Sequence, residues 1–248
     1  MRIGGPSSRQ RARDVASATL TSAVIAHNGS LLAVARDAAT THGSTVQTWP
    51  ARAGTAPTQA TPAKRPAFSA LGGGGLTFDG IDDAIVLTAP LTSATACAAV
   101  VVYTPTAATT GVLLEVGSLY YATNGIGLFF DATGTIIAGT GTLALGNYIQ
   151  STRTTPVSAR GVLAMTADRA PNPDTVLAVD GRGVVPDAQV GANNGTGAYG
   201  SSAGWVGARN NGASVPFSGR VHLAMVVKQG LTLGQLCALT RAAMEASA

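Results

Sequence analysis

Three carboxylates lie close together in one short segment of the chain, at Asp79, Asp82 and Asp83. Carboxylate oxygens are the ligands that Ca²⁺ prefers, so the segment is a candidate calcium site. The same residues also suit a tight turn, because Asp79 is followed by Gly80 and an Asp side chain bonds the backbone of such turns. Calcium takes six to eight oxygens, more than three carboxylates supply, so we favour the turn and keep Ca²⁺ as the alternative.

The groups that catalysis needs are scarce. Glycoside hydrolysis uses two carboxylates across the scissile bond, but the only glutamates are Glu115 and Glu245, and neither has a second acid nearby. A lone His222 within an apolar run is expected to be structural. No Cys/His pair has the spacing of zinc ligands. The sequence therefore predicts a protein that is not an enzyme.

Aromatic residues that could contact a glycan or a protein partner are few. Tyr120 and Tyr121 stand beside the turn residues Asn124-Gly125, and we expect this pair to be exposed and to make such a contact. Trp49 and Trp205 are the only tryptophans, and both are expected to lie in the core.

Residues 1–28 form a segment of their own, with a basic cluster of Arg2, Arg9, Arg11 and Arg13. The apolar residues after the cluster fit a helix or a strand equally well. The segment is thus either an arm that docks on a neighbouring subunit or an edge strand of the main domain. Arginines without interleaved aromatics are a weak sign of nucleic-acid binding, so no nucleic-acid partner is predicted.

The composition is poor in charge, with 11% charged and 46% hydrophobic residues. Such a surface packs against neighbouring subunits without desolvating many ions, which suits an assembled particle. We see no secretory signal and no apolar run long enough to cross a bilayer, so synthesis in the cytoplasm and no membrane partner are expected. Cys97 and Cys237 are expected to be free thiols.

The remainder, residues 29–248, is predicted to be one all-β domain. Strand-length apolar runs alternate with Asn-Gly and Asp-Gly pairs, which tolerate the positive φ of hairpin turns. Leu76–Asp79 and Ile85–Leu87 flank one such turn and predict a strand, a tight turn and a second strand. A short C-terminal helix is predicted after Thr232, because Gln235 completes the spacing of a capping box.

Several of these segments resemble laminin-G-like and concanavalin-A-like domains. The resemblance is carried by Phe78-Asp79-Gly80-Ile81-Asp82-Asp83, by Leu177-Ala178-Val179-Asp180-Gly181, and by the Gly219-Arg220-Val221 turn into the last strand. It implies an antiparallel two-sheet jelly-roll sandwich that binds or assembles, with calcium in some members. The paired-acid motif of the hydrolases with this fold is missing here.

Two functions follow as expectations. The first is a non-enzymatic structural or adhesion protein of an assembled particle, such as a decoration, spike or tail-fibre component of a bacteriophage virion. It would be made in the host cytoplasm, form a homo-oligomer with other virion proteins and contact host-surface glycans. The alternative is a carbohydrate-binding module, calcium-assisted or not, of a bacterial surface or secreted system.

Overall fold

The computed structural model describes residues 7–26, 29–35, 37, 45–106, 110–117, 125–130, 136–141, 146–151, 158–169, 174–180, 182–184, 188–190 and 197–248. The strands are, in chain order, β1 (Gly29–Val34), β2 (Ala51–Gly54), β3 (Ala67–Ser69), β4 (Gly75–Asp79), β5 (Ile85–Leu87), β6 (Ala96–Pro105), β7 (Gly111–Val116), β8 (Ile126–Phe130), β9 (Ile136–Gly141), β10 (Gly146–Ser151), β11 (Gly161–Asp168), β12 (Asp174–Val179), β13 (Arg182–Val184), β14 (Ala188–Val190), β15 (Gly204–Val206) and β16 (Ser218–Val227). The helices are α1 (Ser8–Ala26) and α2 (Leu233–Ala246), with short 3₁₀ turns at Pro62–Lys64 and Leu71–Gly73.

The strands form two antiparallel sheets. The nine-stranded back sheet runs β13-β12-β11-β6-β16-β1-β2, with β4 paired to β16 and β3 paired to β4. The seven-stranded front sheet runs β14-β10-β9-β8-β7-β15-β5. This arrangement confirms the predicted two-sheet sandwich with a short C-terminal helix.

The core between the sheets contains a cluster of aromatic rings. Tyr103 of β6 meets Phe130 of β8 with ring centroids 5.2 Å apart, and Phe217 lies 6.4 Å from Tyr103 and 6.3 Å from Phe130. Aliphatic residues of both sheets fill the remainder of the core. Such tilted and edge-on rings add to the stabilisation that comes from burial alone.

A second apolar layer covers the other face of the back sheet. Strand β6 sends Val101 into the inter-sheet core and Val100 and Val102 outward, and all three are fully buried. The outward residues pack against α1 and α2, for example against Leu20 and Leu236. A strand that is buried on both faces needs a continuous apolar run instead of an alternating one. The chain therefore has three layers, which are helices, back sheet and front sheet.

A β-bulge at His222 lets residues of β16 pack both in the inter-sheet core and against the helices. The pairing with β6 shifts between Val221 and Leu223. As a result Val221 lies in the inter-sheet core while Leu223 lies against the helices. Strict alternation along the sequence would place these two residues on one face, so the bulge changes the face of every residue that follows it.

The segment 8–26 is a helix, which replaces the edge strand that was one alternative for residues 1–28. Its buried residues are Ala16, Ser17, Leu20 and Val24, and they pack on the chain's own back sheet and on α2. Arg2 lies outside the described residues. Neither described helix is long and apolar enough to span a membrane.

The turn at residues 79–83 corrects the hairpin expectation. Strand β4 pairs with β16 and β3 in the back sheet, whereas β5 pairs with β15 in the front sheet. The turn is therefore a crossover between sheets. Gly80 adopts a φ of 80°, as predicted for the residue after Asp79.

Helix α2 begins as predicted. Thr232 accepts a hydrogen bond from the backbone of Gln235, whose side chain bonds the backbone N–H of Thr232 in return. This capping box satisfies donors that the first helical turn leaves without intrahelical partners. The helix lies on the outward face of the back sheet.

We expect Leu20→Ala to lower the free energy of unfolding by about 3 kcal/mol, because it leaves a cavity between α1 and the back sheet. Leu20 is fully buried, whereas Val15 on the same helix is 68% exposed. Val15→Ala is the matched control and is expected to change stability by less than about 0.5 kcal/mol. Equal effects of the two variants in urea unfolding would show that α1 does not pack on the sheet.

Candidate functional site

The outer face of the front sheet is the candidate binding face. Of the four sheet faces, two enclose the core, and the outer face of the back sheet lies under α1 and α2. No described helix packs on the outer face of the front sheet. A ligand that binds to a sheet of this fold therefore meets the front sheet.

One row of residues crosses this face through five strands. The register pairs Trp205 with Val86 on one side and with Glu115 on the other, and Glu115 with Gly127. Gly127 in turn pairs with Gly139. Directly opposed residues share a face, and the neighbours Leu114, Leu128 and Val206 point into the core. Gly127 has no side chain, and it is buried, as is every residue of β7.

Glu115 is a buried carboxylate in this row, paired with a cation. The Arg209 Nε donates to Glu115 Oε2 at 2.8 Å and to Oε1 at 3.1 Å. The Glu115 side chain is 1% exposed and that of Arg209 15%. Charge-assisted bonds of this kind are stronger than neutral ones and compensate the burial of the carboxylate.

A folded loop after β15 brings Arg209 to the sheet. Gly207 has a φ of 92° and its carbonyl accepts from Phe217 N at 2.6 Å, which closes the loop at its base. Within it the Arg209 N–H donates to Ser214 O at 2.9 Å, and Asn210 and Asn211 both have positive φ. Asn tolerates that conformation better than most residues.

Gln59 anchors the loop to the rest of the domain. It is 1% exposed, and its Nε2 donates to Asn211 Oδ1 at 2.7 Å and to Ala84 O at 2.8 Å. The Lys64 ammonium donates to Asn211 O at 2.8 Å. Arg209 is therefore held by a hydrogen-bonded frame, which fixes the charge pair in position.

Trp205 is the aromatic residue of the row. It is partly exposed, so the expectation that it lies in the core is wrong, whereas the same expectation for Trp49 is confirmed by 0% exposure. Trp205 is partly exposed because successive side chains of a strand point to opposite faces. Its neighbours Gly204 and Val206 in β15 are buried, so Trp205 points to the outer face.

The Asp79–Asp83 turn lies at the edge of the same sheet, just before β5. Asp79 Oδ1 accepts from Ile81 N at 2.8 Å, and Asp83 Oδ2 accepts from Asp79 N at 3.1 Å. These are the hydrogen bonds of an Asx turn. Ligand oxygens of Asp79, Asp82 and Asp83 all lie within 4.8 Å of one another. Asp79 and Asp83 already accept hydrogen bonds from the backbone, and three carboxylates supply fewer oxygens than the six to eight that Ca²⁺ takes. We therefore assign no metal to this turn.

Asp83 is buried beside two other acids. The pKa of Asp83 is raised to about 6, chiefly by burial and also by the nearby charges of Asp79 and Asp82, while the backbone hydrogen bond from Asp79 opposes the rise. The ionised form of Asp83 is therefore unfavourable in the folded protein.

His222 has a structural role. It is 1% exposed, its Nδ1–H donates to Gly74 O, and its Nε2 accepts from Thr104 Oγ1 at 2.9 Å. Burial lowers its pKa to about 4. The ring is neutral at pH 7 and both nitrogens are occupied. Cys97 and Cys237 are free thiols, as expected.

Other residues were also predicted from the sequence to make contacts or to form an assembly arm. Tyr120 and Tyr121 lie outside the described residues. Arg9, Arg11 and Arg13 belong to α1, behind the back sheet.

Glu115, Arg209 and Trp205 were not predicted from the sequence to lie together. The available signal was one charged residue inside the otherwise apolar strand Val112–Val116.

Comparisons with known proteins identify the fold. No family model matches the chain, and no curated protein matches its sequence. The SAP-like pentraxin of Limulus polyphemus is similar in structure, with a TM-score of 0.52 and 12% identity over 66% of this chain and 80% of that one. Domain 4 of the arabinanase AbnA from Geobacillus stearothermophilus, solved in complex with arabinotriose, has a TM-score of 0.52 and 15% identity over 71% of this chain and 81% of that one. The fold is thus a jelly-roll sandwich of the concanavalin A-like kind, as the sequence resemblance implied.

We expect Asp83→Asn to stabilise the protein at pH 8 by about 1 to 2 kcal/mol and to have little effect at pH 4. The folded pKa is raised to about 6, so the wild type loses stability as the pH rises from about 4 through 6. The amide oxygen keeps an acceptor for Asp79 N. Urea unfolding at both pH values measures the effect, and equal gains at pH 4 and pH 8 would contradict it. The calcium alternative predicts instead that CaCl₂ raises the melting temperature of the wild type and not of the variant.

We expect Arg209→Leu to cost about 3 kcal/mol of stability, because it leaves the Glu115 carboxylate buried without its cation. Arg52→Leu is the matched control, since its 2.7 Å pair with Asp37 has side chains 23% and 27% exposed. Exposed pairs contribute less than about 1 kcal/mol. The double variant Arg209→Leu/Glu115→Leu is expected to recover most of the loss. No recovery would mean that Arg209 acts through the loop and not through Glu115.

Proposed function

We propose that this protein is a non-enzymatic carbohydrate-binding module whose glycan lies on the outer face of the front sheet. One observation carries the proposal. The partly exposed Trp205 stands directly beside the buried Glu115–Arg209 pair, on the sheet face that no described helix covers.

The chemistry of this row suits a sugar. The apolar C–H face of a pyranose or furanose ring packs on the flat face of an indole, whose polar edge remains able to bond water or ligand. Sugar hydroxyls accept hydrogen bonds, and the guanidinium of Arg209, whose side chain is 15% exposed, offers N–H donors beside the indole.

The same row argues against hydrolysis. A glycosidase needs two carboxyl groups about 5 to 10 Å apart across the bond that breaks. Glu115 is the only acidic residue in the sequences of the seven front-sheet strands, and Arg209 is bonded to both of its oxygens. We therefore propose binding without turnover.

The structural comparison supports a glycan ligand. The arabinanase domain of the same fold was solved with arabinotriose bound. A short neutral oligosaccharide such as arabinotriose is therefore the first ligand to test on this chain.

The virion assignment has no support from the fold or from the candidate face. Both functions expected from the sequence include contact with glycans. Glycan binding is therefore the part of those expectations that we retain. Placement on a virion or on a bacterial surface stays a prediction.

We expect Trp205→Ala to weaken glycan binding at least about tenfold, the equivalent of about 1.4 kcal/mol, because the stacking surface is removed. A glycan array identifies the ligand, and titration followed by tryptophan fluorescence measures the affinity. Trp49 is fully buried, so a ligand-dependent change reports Trp205. Trp205→Phe keeps a ring and is expected to retain part of the affinity.

Val15→Ala is the control for the titration, because Val15 is an exposed residue of α1 on the far side of the sandwich. Its affinity is expected to equal that of the wild type. Unchanged binding by folded Trp205→Ala would rule out this face as the glycan site. Release of new reducing ends from the bound glycan would rule out the non-enzymatic assignment.

A further inference from the structure

A cavity opens at one end of the back sheet, where α2 begins. Its volume is about 670 Å³, which lies within the range of about 300 to 1,000 Å³ typical of small-molecule sites. It is lined by residues around the start of β6, at the end of β11, and in the segment 228–233, which runs from the end of β16 into α2. The cavity therefore belongs to the back sheet and α2, and it is separate from the front-sheet face at Trp205.

Hydrogen bonds between the segments hold the walls of this cavity in place. The buried Thr166 of β11 donates from its Oγ1 to Cys97 O at 3.1 Å, and the same oxygen accepts from Leu231 N at 2.9 Å. Asp168 is paired with Ala96 in the ladder between β11 and β6. The three segments that form the walls are thus bonded to one another, so a ligand meets a site that is formed in advance.

Most of the side chains around the cavity are polar. Six of the ten lining residues form this polar set, which is Thr95, Thr166, Asp168, Lys228, Gln229 and Thr232. The set contains one ammonium group and one carboxylate, so its formal charges cancel. Two of its hydroxyls are already committed, because Thr166 bonds the backbone and Thr232 accepts from Gln235 N in the cap of α2.

The remaining polar groups leave hydrogen-bonding capacity for a ligand. The Lys228 ammonium and the Thr95 hydroxyl form no hydrogen bond or ion pair within the described part of the chain. A carboxylate accepts several hydrogen bonds, so Asp168 can accept from a ligand beside the contacts that it already makes. The cavity therefore offers donors and acceptors but no net charge.

Gly230 contributes to the open space in the cavity. A Cβ atom added to Gly230 would lie 3.4 Å from Ala96 Cβ, 3.8 Å from Asp168 Oδ2 and 3.9 Å from Thr166 Oγ1. Because these three residues also line the cavity, a side chain at position 230 would point into it. Gly230 does not have a positive φ, and the contacts of the added Cβ are of ordinary length. A side chain can therefore be introduced here to fill the cavity without backbone strain.

We propose that this cavity binds an uncharged mono- or disaccharide, at a site distinct from the glycan face. Sugar hydroxyls accept from the Lys228 ammonium, donate to the Asp168 carboxylate and exchange hydrogen bonds with Thr95. Ala96 and Leu231 supply apolar surface for the C–H groups of the ring. The balanced charges favour neither an acidic nor a basic ligand, and the lining contains no aromatic residue on which a nucleobase would stack. The site goes beyond the proposed function and does not depend on it.

An NMR titration of the backbone amides of the full chain tests the proposal. The probes are glucose, galactose and arabinose, together with glucuronate and glucosamine, which add a negative or a positive charge to the glucose ring. We expect at least one uncharged sugar to shift the amides of Ala96, Asp168 and Gly230, with a Kd of about 10 mM or tighter. Both charged sugars are expected to bind more weakly than the best uncharged one.

Variants of two lining residues locate the site. Gly230→Leu is expected to raise the Kd at least about tenfold, because the new side chain occupies the cavity, whereas the matched control Gly230→Ala is expected to change it less than about threefold. Lys228→Met keeps the aliphatic stem and loses the donors, and we expect it to raise the Kd about tenfold. Trp205→Ala is expected to bind these sugars in the cavity like the wild type, so failure of the glycan face would leave this result unchanged.

Any of four results would overturn the proposal. They are no shift of the cavity amides with any uncharged sugar, shifts confined to β7, β8 and β15, tighter binding of a charged sugar, and an unchanged Kd in Gly230→Leu. Melting temperatures show whether the variants are folded. If Gly230→Leu unfolds, Lys228→Met decides, with a rise in Kd expected and an unchanged Kd contradictory.

Discussion

The structure depends on burying the back sheet on both of its faces. Strands β6 and β16 pass through the middle of that sheet, and their residues face either the aromatic core or the two helices. Removal of this much aliphatic surface from water is the main favourable term in folding, at about 25 cal/mol per Å² of apolar area. A chain that meets this demand must supply apolar residues at successive positions and a helical layer to cover them. The small number of charged residues follows in part from that requirement.

The same constraint determines which sheet face we propose for binding. Once the helices cover the back sheet, the outer face of the front sheet is the sheet surface left for a ligand among the described residues. A buried charge pair costs more to desolvate than it returns unless its geometry is well satisfied. The chain nevertheless keeps Glu115 and Arg209 there, held by a loop that Gln59 and Lys64 brace. An apolar pair would stabilise that position equally well, which makes a binding role the better explanation for the charges.

Local signals in the sequence predicted much of the fold. The run at Ile85–Leu87 is a strand with those limits, and the capping box at Thr232 begins a helix as expected. The short strand Ala188–Val190 was not predicted, because three residues show no period and no Asn-Gly or Asp-Gly turn adjoins them. The sequence of α1 fits a helix and a strand equally well, since Ala, Thr and Val occur in both. Packing against the back sheet is what favours the helix. The site could not be predicted, because Glu115, Arg209 and Trp205 meet only through sheet register and through a loop with positive φ.

The proposed glycan site is the outer face of the front sheet. Hydrogen exchange of backbone amides with and without the ligand from the glycan array tests it most directly, because it maps the site without altering a residue. The account predicts slower exchange in Gly111–Val116, Ile126–Phe130 and Gly204–Val206, with no change in Ser8–Ala26. Slower exchange confined to Ser8–Ala26, or to the Asp79–Asp83 turn, would contradict it.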